Sequence, residues 1–231
     1  MQTQKDLVSM HPRHGIMNID VLSFARLAYR VFEETGTKQM QVLDDEGKNL
    51  ILRKIAGDYE NKLTVLKGNI KKLGYISEVK SVISEFTQYD IGEEEMDEML
   101  DHLDEDSRLY YKLKDIRLLY EGFQDYLRER YITKEELLDV LNSQVKESEL
   151  LKNSVVVLDG FTGFTPVQNR LILELMRCCK EVWVTVTMDE RENPYAYKHP
   201  YQLFGLSKQM VTTLVRMAGE DHIEVEEPVC L

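Results

Sequence analysis

Apolar and polar positions alternate with two different periods along this chain, and the period changes partway. From Ser107 to Arg130 the residues Leu109, Leu113, Ile116, Leu119, Phe123 and Leu127 recur every three or four positions. That spacing predicts one helix with a single apolar stripe. Similar spacing predicts helices over 49–59, 68–89 and 94–103, so the stretch from about Gln39 to Leu151 reads as helical. Thr133 and Glu136 have the spacing of a capping box for a further helix. On either side the texture differs. Gly15 to Leu22 is a short apolar-rich run and predicts a strand, after which Ser23 caps a helix that Gly36 ends. Ser154 to Leu158 is a continuous β-branched run, the pattern of a strand buried on both faces. Thr165-Pro166-Val167-Gln168 is a helix start, with Thr at the cap, Pro in the first turn and Gln at the third position. Glu181–Met188 predicts a strand, Tyr201–Ala218 a helix, and His222–Glu226 a last strand.

Strands alternating with helices argue for a parallel α/β sheet. The expected organisation is therefore a first α/β part over residues 1–38, a helical insertion over 39–151, and a return to the α/β domain over 152–231. A chain of 231 residues with 43% hydrophobic and 30% charged residues has material for a sizeable core. No apolar run is long enough to span a bilayer, and Met1 to His14 has no apolar signal core, so a cytoplasmic location without membrane contact is expected.

The net charge of −12 weighs against strong autonomous binding to nucleic acid, which depends on neutralising phosphates. The acid is concentrated between Glu85 and Asp106, which leaves less acidic surface elsewhere. Cys178, Cys179 and Cys230 match no zinc or disulfide spacing and read as reduced thiols, and the five histidines form no HExxH or HxxxH pattern.

Two segments have the residues for chemistry. The run VVVLDGFTGFTP ends an apolar strand in Asp159, where a nucleotide hydrolase presents the carboxylate that holds magnesium. The next residue, which in active helicases is an acid that activates water, is Gly160. On the residues alone, a turn after a strand explains Asp159-Gly160 as well or better. No GxxxxGK followed by Ser or Thr occurs, so the chain has no phosphate cradle of that type, and ATP hydrolysis by this polypeptide is not expected. Nor is there the grouping of acids and a lysine that a metal-dependent nuclease needs. In SFARLAYRVFEETG, Phe24, Leu27, Ala28, Val31 and Phe32 form an apolar face, and Arg26, Tyr29, Arg30 and Glu33 fall on another. An aromatic ring between arginines suits nucleic acid, since rings stack on bases and guanidinium groups take phosphates or guanine edges. Composition alone favours an ordinary amphipathic helix.

Together, IDVLSFARLAYRVFEETG and VVVLDGFTGFTPVQNRLI resemble the corresponding stretches of AddB-type (RexB-like) proteins, the AddB component of the ATP-dependent helicase/deoxyribonuclease AddAB. The resemblance covers nearly the whole chain, is weaker between about Lys38 and Leu150, and takes in the opening MQTQKDL. It implies a partial phosphate-loop NTPase fold of the superfamily 1 helicase type: a parallel sheet with a large all-helical insertion. It implies an excised piece of the N-terminal helicase-like region, lacking the phosphate-loop strand upstream, the second motor-like domain and the nuclease domain. The implied role is non-catalytic: recognition of a Chi-type hotspot in single-stranded DNA during double-strand break repair. The implied partners are an AddA-type subunit and single- or double-stranded DNA. An iron–sulfur cluster, magnesium and ATP would belong to the parent protein outside this segment. Carried over by motif, the DNA contacts fall on Phe24, Arg26 and Tyr29 of SFARLAY and on Phe161 of DGF. Some members have Trp at the position of Tyr29; the smaller ring still stacks, but a change of ring can change the sequence recognised. Two other roles stay open: a protein–protein scaffold of the same complex, and a remnant of an active ATPase cut at its phosphate loop.

Overall fold

The computed structural model describes residues 2–12, 14–15, 17–37, 41–70, 72–128 and 131–230. Ile16 of the expected first strand, the 38/39 boundary of the expected insertion, and Arg130 at the end of the expected long helix lie outside the described residues. So do Met1 of the opening segment and Leu231. The fold is α/β, mostly helical, with two small parallel sheets.

Helix α1 (Gln2–Met10) leads to α2 (Phe24–Thr35). The Ser23 hydroxyl accepts the Arg26 N–H at 3.4 Å, and Gly36 closes the helix at φ 68°, its N–H donating to the Phe32 carbonyl. After β1 (Gln41–Val42) come α3 (Asp45–Asp58), α4 (Leu73–Gln88), α5 (Glu93–Asp101) and α6 (Arg108–Leu127). These four helices share one core, with Leu52, Leu66, Ile76, Met96, Leu119 and Phe123 at its centre. Each such side chain taken from water contributes about 1.5–3 kcal/mol. Gly122 lets α6 approach α3, because a Cβ there would meet the Tyr59 ring at 2.7 Å and Ile55 at 2.9 Å.

Strand β2 (Tyr131–Ile132) pairs in parallel with β1, Gln41 beside Tyr131 and Val42 beside Ile132. The pair ties the entrance of the four-helix unit to its exit. Helix α7 (Glu136–Gln144) follows, with Thr133 and Glu136 exchanging the expected reciprocal capping bonds at 2.7 and 3.2 Å. A short 3₁₀ turn and α8 (Glu149–Lys152) lead into β3 (Val155–Leu158), α9 (Pro166–Cys178), β4 (Glu181–Val184) and α10 (Gly205–Glu220). The Thr165–Gln168 capping box and Pro166 start α9 as the sequence implies. β3 and β4 run parallel over four residue pairs, from Val155 beside Glu181 to Leu158 beside Val184.

Helices α7 and α8 do not join the four-helix core. Leu137, Leu141 and Leu151 pack with Ala28, Val31 and Phe32 of α2 and Leu171 and Leu175 of α9. The other side of α9, through Ile172, packs with Leu158, Met210 and Leu214.

Several expectations change. Among the described residues no strand forms over 15–22 or over 222–226. Neither run has a neighbouring strand to receive its backbone bonds. Leu109 lies 59% exposed and Leu113 is only partly buried, because the start of α6 projects beyond the core that buries Ile116, Leu119, Phe123 and Leu127. The helix expected from Gly68 begins at Leu73, and residues 59–70 are turns and bends in which the buried Asp115 carboxylate accepts the N–H groups of Thr64, Val65 and Leu66. The β3 strand is buried on one face only: Val155 and Val157 are 50% and 57% exposed, and Trp183 on β4 is 47% exposed. α9 and α10 cover just the face carrying Val156, Leu158, Val182 and Val184.

One buried ion pair fastens the four-helix unit to the rest. Lys48 of α3 is only 2% exposed, and its ammonium donates to Glu135 Oε2 at 2.7 Å and to Ser84 Oγ of α4 at 3.2 Å. Burial would raise the Glu135 carboxyl, but the Lys48 hydrogen bond and charge together hold it below its ordinary value of 4.5. Its contribution to stability is therefore complete above about pH 4.5 and is lost as the pH falls through the depressed value. Glu135→Gln leaves the Lys48 charge buried and should lower unfolding stability by about 3 kcal/mol at pH 7. It should also flatten the loss of stability below about pH 4.5, whereas Lys48→Met with Glu135→Leu should recover most of the loss. Chemical denaturation across pH checks this; an unchanged acid limb in Glu135→Gln would show that the pair does not fasten the unit.

Candidate nucleic-acid interface

The inner face of α2 fixes its outer face. Ala28 and Val31 are fully buried and Phe32 nearly so, against α7 and α9. Glu34 adds a polar clamp, accepting the Ser148 hydroxyl at 2.5 Å and the Leu150 N–H at 2.8 Å at the start of α8. The Ser148 bond comes first among the reasons the Glu34 carboxyl lies below its ordinary value. With that side locked, helical geometry turns Arg26, Tyr29 and Arg30 to solvent. Tyr29 is 40% exposed, and Arg26 makes no ion pair among the described residues. Arg30 lies 3.7 Å from Asp20, an exposed pair worth little.

Phe24 belongs to a different setting. Its ring centroid lies 5.7 Å from that of Phe161, which lies 4.9 Å from that of Phe164. All three rings are half-buried and pack on the cluster around Leu158, Ile172, Met210 and Leu214. The structure thus brings the two sequence-predicted segments together: the start of α2 and the loop after β3 meet ring to ring. Phe24 and Phe161 are partly packing residues, while Arg26 and Tyr29 lie outside that contact.

The loop after β3 is shaped by Gly160, whose φ of 77° is one that a side chain disfavours. Asp159 is exposed, and its Oδ1 accepts the Thr185 hydroxyl at 2.6 Å; the same Thr185 oxygen accepts the Gly160 N–H at 3.3 Å. Sequence reasoning missed Thr185 and Phe164. Thr185 follows Val184, the partner of Leu158, and so faces Asp159 across the strand ends, a placement set by the strand register and not by the sequence alone. Phe164 gave no periodic signal.

The Cys178 thiol points to the Val145 carbonyl at 3.4 Å, and burial pushes the Cys179 thiol up to about 12, so it stays protonated. Cys230 is exposed in the C-terminal segment. Among the described residues no group of three His, Cys, Asp or Glu side chains is placed to hold a metal ion, and no helix is long and apolar enough to cross a membrane.

The two halves of the interface should separate by stability. Phe161→Ala removes a half-buried ring and should cost about 1–3 kcal/mol. Arg26→Ala removes a solvent-facing side chain and should stay within about 0.5 kcal/mol. Thermal unfolding of both variants checks the division; a large loss in Arg26→Ala would make that residue part of the packing.

The family model described as "ADDB, N-terminal" matches residues 1–231. Among curated proteins, one from Lachnoclostridium phytofermentans, named as the B-type subunit of an ATP-dependent helicase/deoxyribonuclease, is 44% identical over 230 residues, 99% of this chain and 20% of the relative. Proteins of the same name from Alkaliphilus oremlandii and Clostridium kluyveri are 36% and 34% identical, over 82% and 100% of this chain and 16% and 20% of the relatives. The chain spans about a fifth of the length of the curated relatives it matches.

Proposed function

The chain belongs to the AddB N-terminal family, and from that premise we propose that it is a non-catalytic, helicase-like segment of a bacterial ATP-dependent helicase/deoxyribonuclease. In this role it reads single-stranded DNA for a Chi-type hotspot during double-strand break resection and recombinational repair. Its partners are an AddA-type subunit and DNA, in the cytoplasm. The fold assigned to it is the superfamily 1 helicase type, with the four-helix unit as an insertion. ATP, magnesium and an iron–sulfur cluster are assigned to other parts of the assembly.

The observation that carries this is the outward face of α2, where Arg26 and Tyr29 face solvent beside the Phe24–Phe161 contact. Bases would stack on Tyr29, and the Arg26 guanidinium would take a phosphate or a guanine edge. Each stacked base contributes roughly 1–3 kcal/mol, and a chain of charge −12 adds little electrostatic attraction, so affinity comes from the whole assembly. The non-catalytic role is supported at the end of β3. Gly160 has no side chain to take a proton, and the Asp159 carboxylate is bonded to Thr185.

A protein–protein scaffold role has its own support in the uncovered sheet face of Val155, Val157 and Trp183 and in the acidic net charge. The two roles separate in the complete complex. With Arg26→Ala and Tyr29→Ala together, hotspot-dependent pausing of DNA degradation should be lost while unwinding and nuclease rates persist. Unchanged pausing would leave α2 as an amphipathic helix and favour the scaffold.

A further inference from the structure

The segment between β4 and α10 has features that none of the assigned roles uses. From Asn193 to Gly219 the chain contains no Asp or Glu, in a protein of net charge −12. The first half of that stretch is rich in aromatic, basic and apolar side chains, among them Tyr195, Tyr197, Lys198, His199, Tyr201 and Leu203. Tyr201 is 94% exposed, Leu203 more than half, and Lys198 and His199 are exposed as well. Large apolar groups gathered at the surface in this way mark a contact site.

The loop that presents them is preorganised. Gln202 accepts the N–H groups of Lys198 and His199 at 2.8 and 3.4 Å and donates to the Ala196 carbonyl at 3.0 Å. Asn193 accepts the Tyr195 N–H at 2.9 Å. Gly205 allows the loop to close on the start of α10, since a Cβ there would meet the Pro200 carbonyl oxygen at 2.7 Å. Of the flanking acids Asp189, Glu190 and Glu192, two are paired: Glu192 with the buried Lys208 at 2.5 Å, and Asp189 with Arg191 at 2.6 Å. The local field is therefore more favourable to an anion than the net charge suggests.

Both His199 and Tyr201 are open to solvent. The His199 and Tyr201 centroids lie 6.5 Å apart with planes at 38°. With the planes tilted the two rings form no parallel slot, and each offers its own face to a base. Behind the loop, Met210 and Leu214 of α10 share the apolar cluster of Phe24, Phe161 and Phe164. The helix that the loop leads into and the start of α2 therefore share one piece of core.

We propose that the Asn193–Leu206 loop is a second contact for single-stranded DNA, with bases stacking on Tyr201 and His199 and Lys198 meeting a phosphate. This rests on the single-strand reading given above for α2 and extends the track beyond that helix. Free aromatic faces are sequence-tolerant, so the loop would hold the strand while Arg26 and Tyr29 read it.

The test uses the complete helicase/deoxyribonuclease complex engaged on DNA whose single strand carries 5-iodouracil, with cross-linked peptides mapped by mass spectrometry. Adducts should form within Asn193–Leu206 as well as within Phe24–Arg30. Tyr201→Ala should weaken single-strand affinity about fivefold or more, and Tyr201→Phe should restore it, since the ring does the stacking. Adducts confined to Phe24–Arg30, with Tyr201→Ala binding as the parent does, overturn the loop contact and leave the α2 reading intact. Adducts at neither segment overturn both. A Tyr201→Ala variant that keeps its DNA affinity but loses its partner subunit makes the loop a protein interface and also overturns the proposal.

Discussion

Leu171, Ile172 and Leu175 of α9 lose all of their solvent contact, and they lose it to two different cores. Leu171 and Leu175 serve the cluster that contains α2, α7 and α8, while Ile172 serves the one that contains β3, β4 and α10. A helix buried from two sides cannot rotate without opening a cavity on one of them, at a cost of several kcal/mol. This constraint sets α2 relative to the loop after β3, and so brings the Phe24 ring within 5.7 Å of Phe161. Arg170 extends the same logic with charge, its guanidinium reaching Asp139 of α7 at 2.8 Å and also Asp90 in the turn between α4 and α5.

The four-helix unit is attached by few interactions of high consequence. Its chain entrance and exit are joined by the two-residue β1–β2 pair, and its side is pinned by the Lys48–Glu135 bond. A buried pair of this kind adds little net stability over an apolar contact, but it penalises any other docking, because each charge would then be left alone in the interior. Positional definition, more than strength, is what such a pair supplies to a unit that is otherwise self-contained. The interface on α2 is built from different material. Its inner residues are locked by packing and by Glu34, while Arg26 and Tyr29 on its outer side face solvent, which is the arrangement a recognition surface needs.

Much of this was legible in the sequence wherever the controlling interactions are local. Ser23, Gly36, Thr133, Glu136, Thr165 and Pro166 mark helix ends by bonds that span three or four residues, and each marks the end it was expected to. The apolar stripe of α6 was legible for the same reason over Ile116, Leu119, Phe123 and Leu127, though not at Leu109 and Leu113. What failed depended on distant partners. The runs at 15–22 and 222–226 have strand-like residues but no strand beside them. The helix expected from Gly68 begins only at Leu73, after turns in which Asp115, some fifty positions along, takes the N–H groups of Thr64, Val65 and Leu66. The half-exposure of Val155 and Val157 follows from which face α9 and α10 cover, a choice no window of β-branched residues encodes. At the interface, the residue types on α2 were readable, but the contact between Phe24 and Phe161 and the bond from Thr185 to Asp159 were not.

The end of β3 carries Asp159 and Gly160, and the neighbouring helix α2 presents Arg26 and Tyr29 outward. The proposed recognition role stands or falls on where a bound strand lies. The most direct measurement is a cryo-electron microscopy structure of the complete complex with single-stranded DNA engaged. Recognition by α2 predicts a base against the Tyr29 ring and the Arg26 guanidinium within hydrogen-bond distance of a phosphate or a base edge. A strand that passes elsewhere, with the outer face of α2 open to solvent or covered by protein, would contradict it.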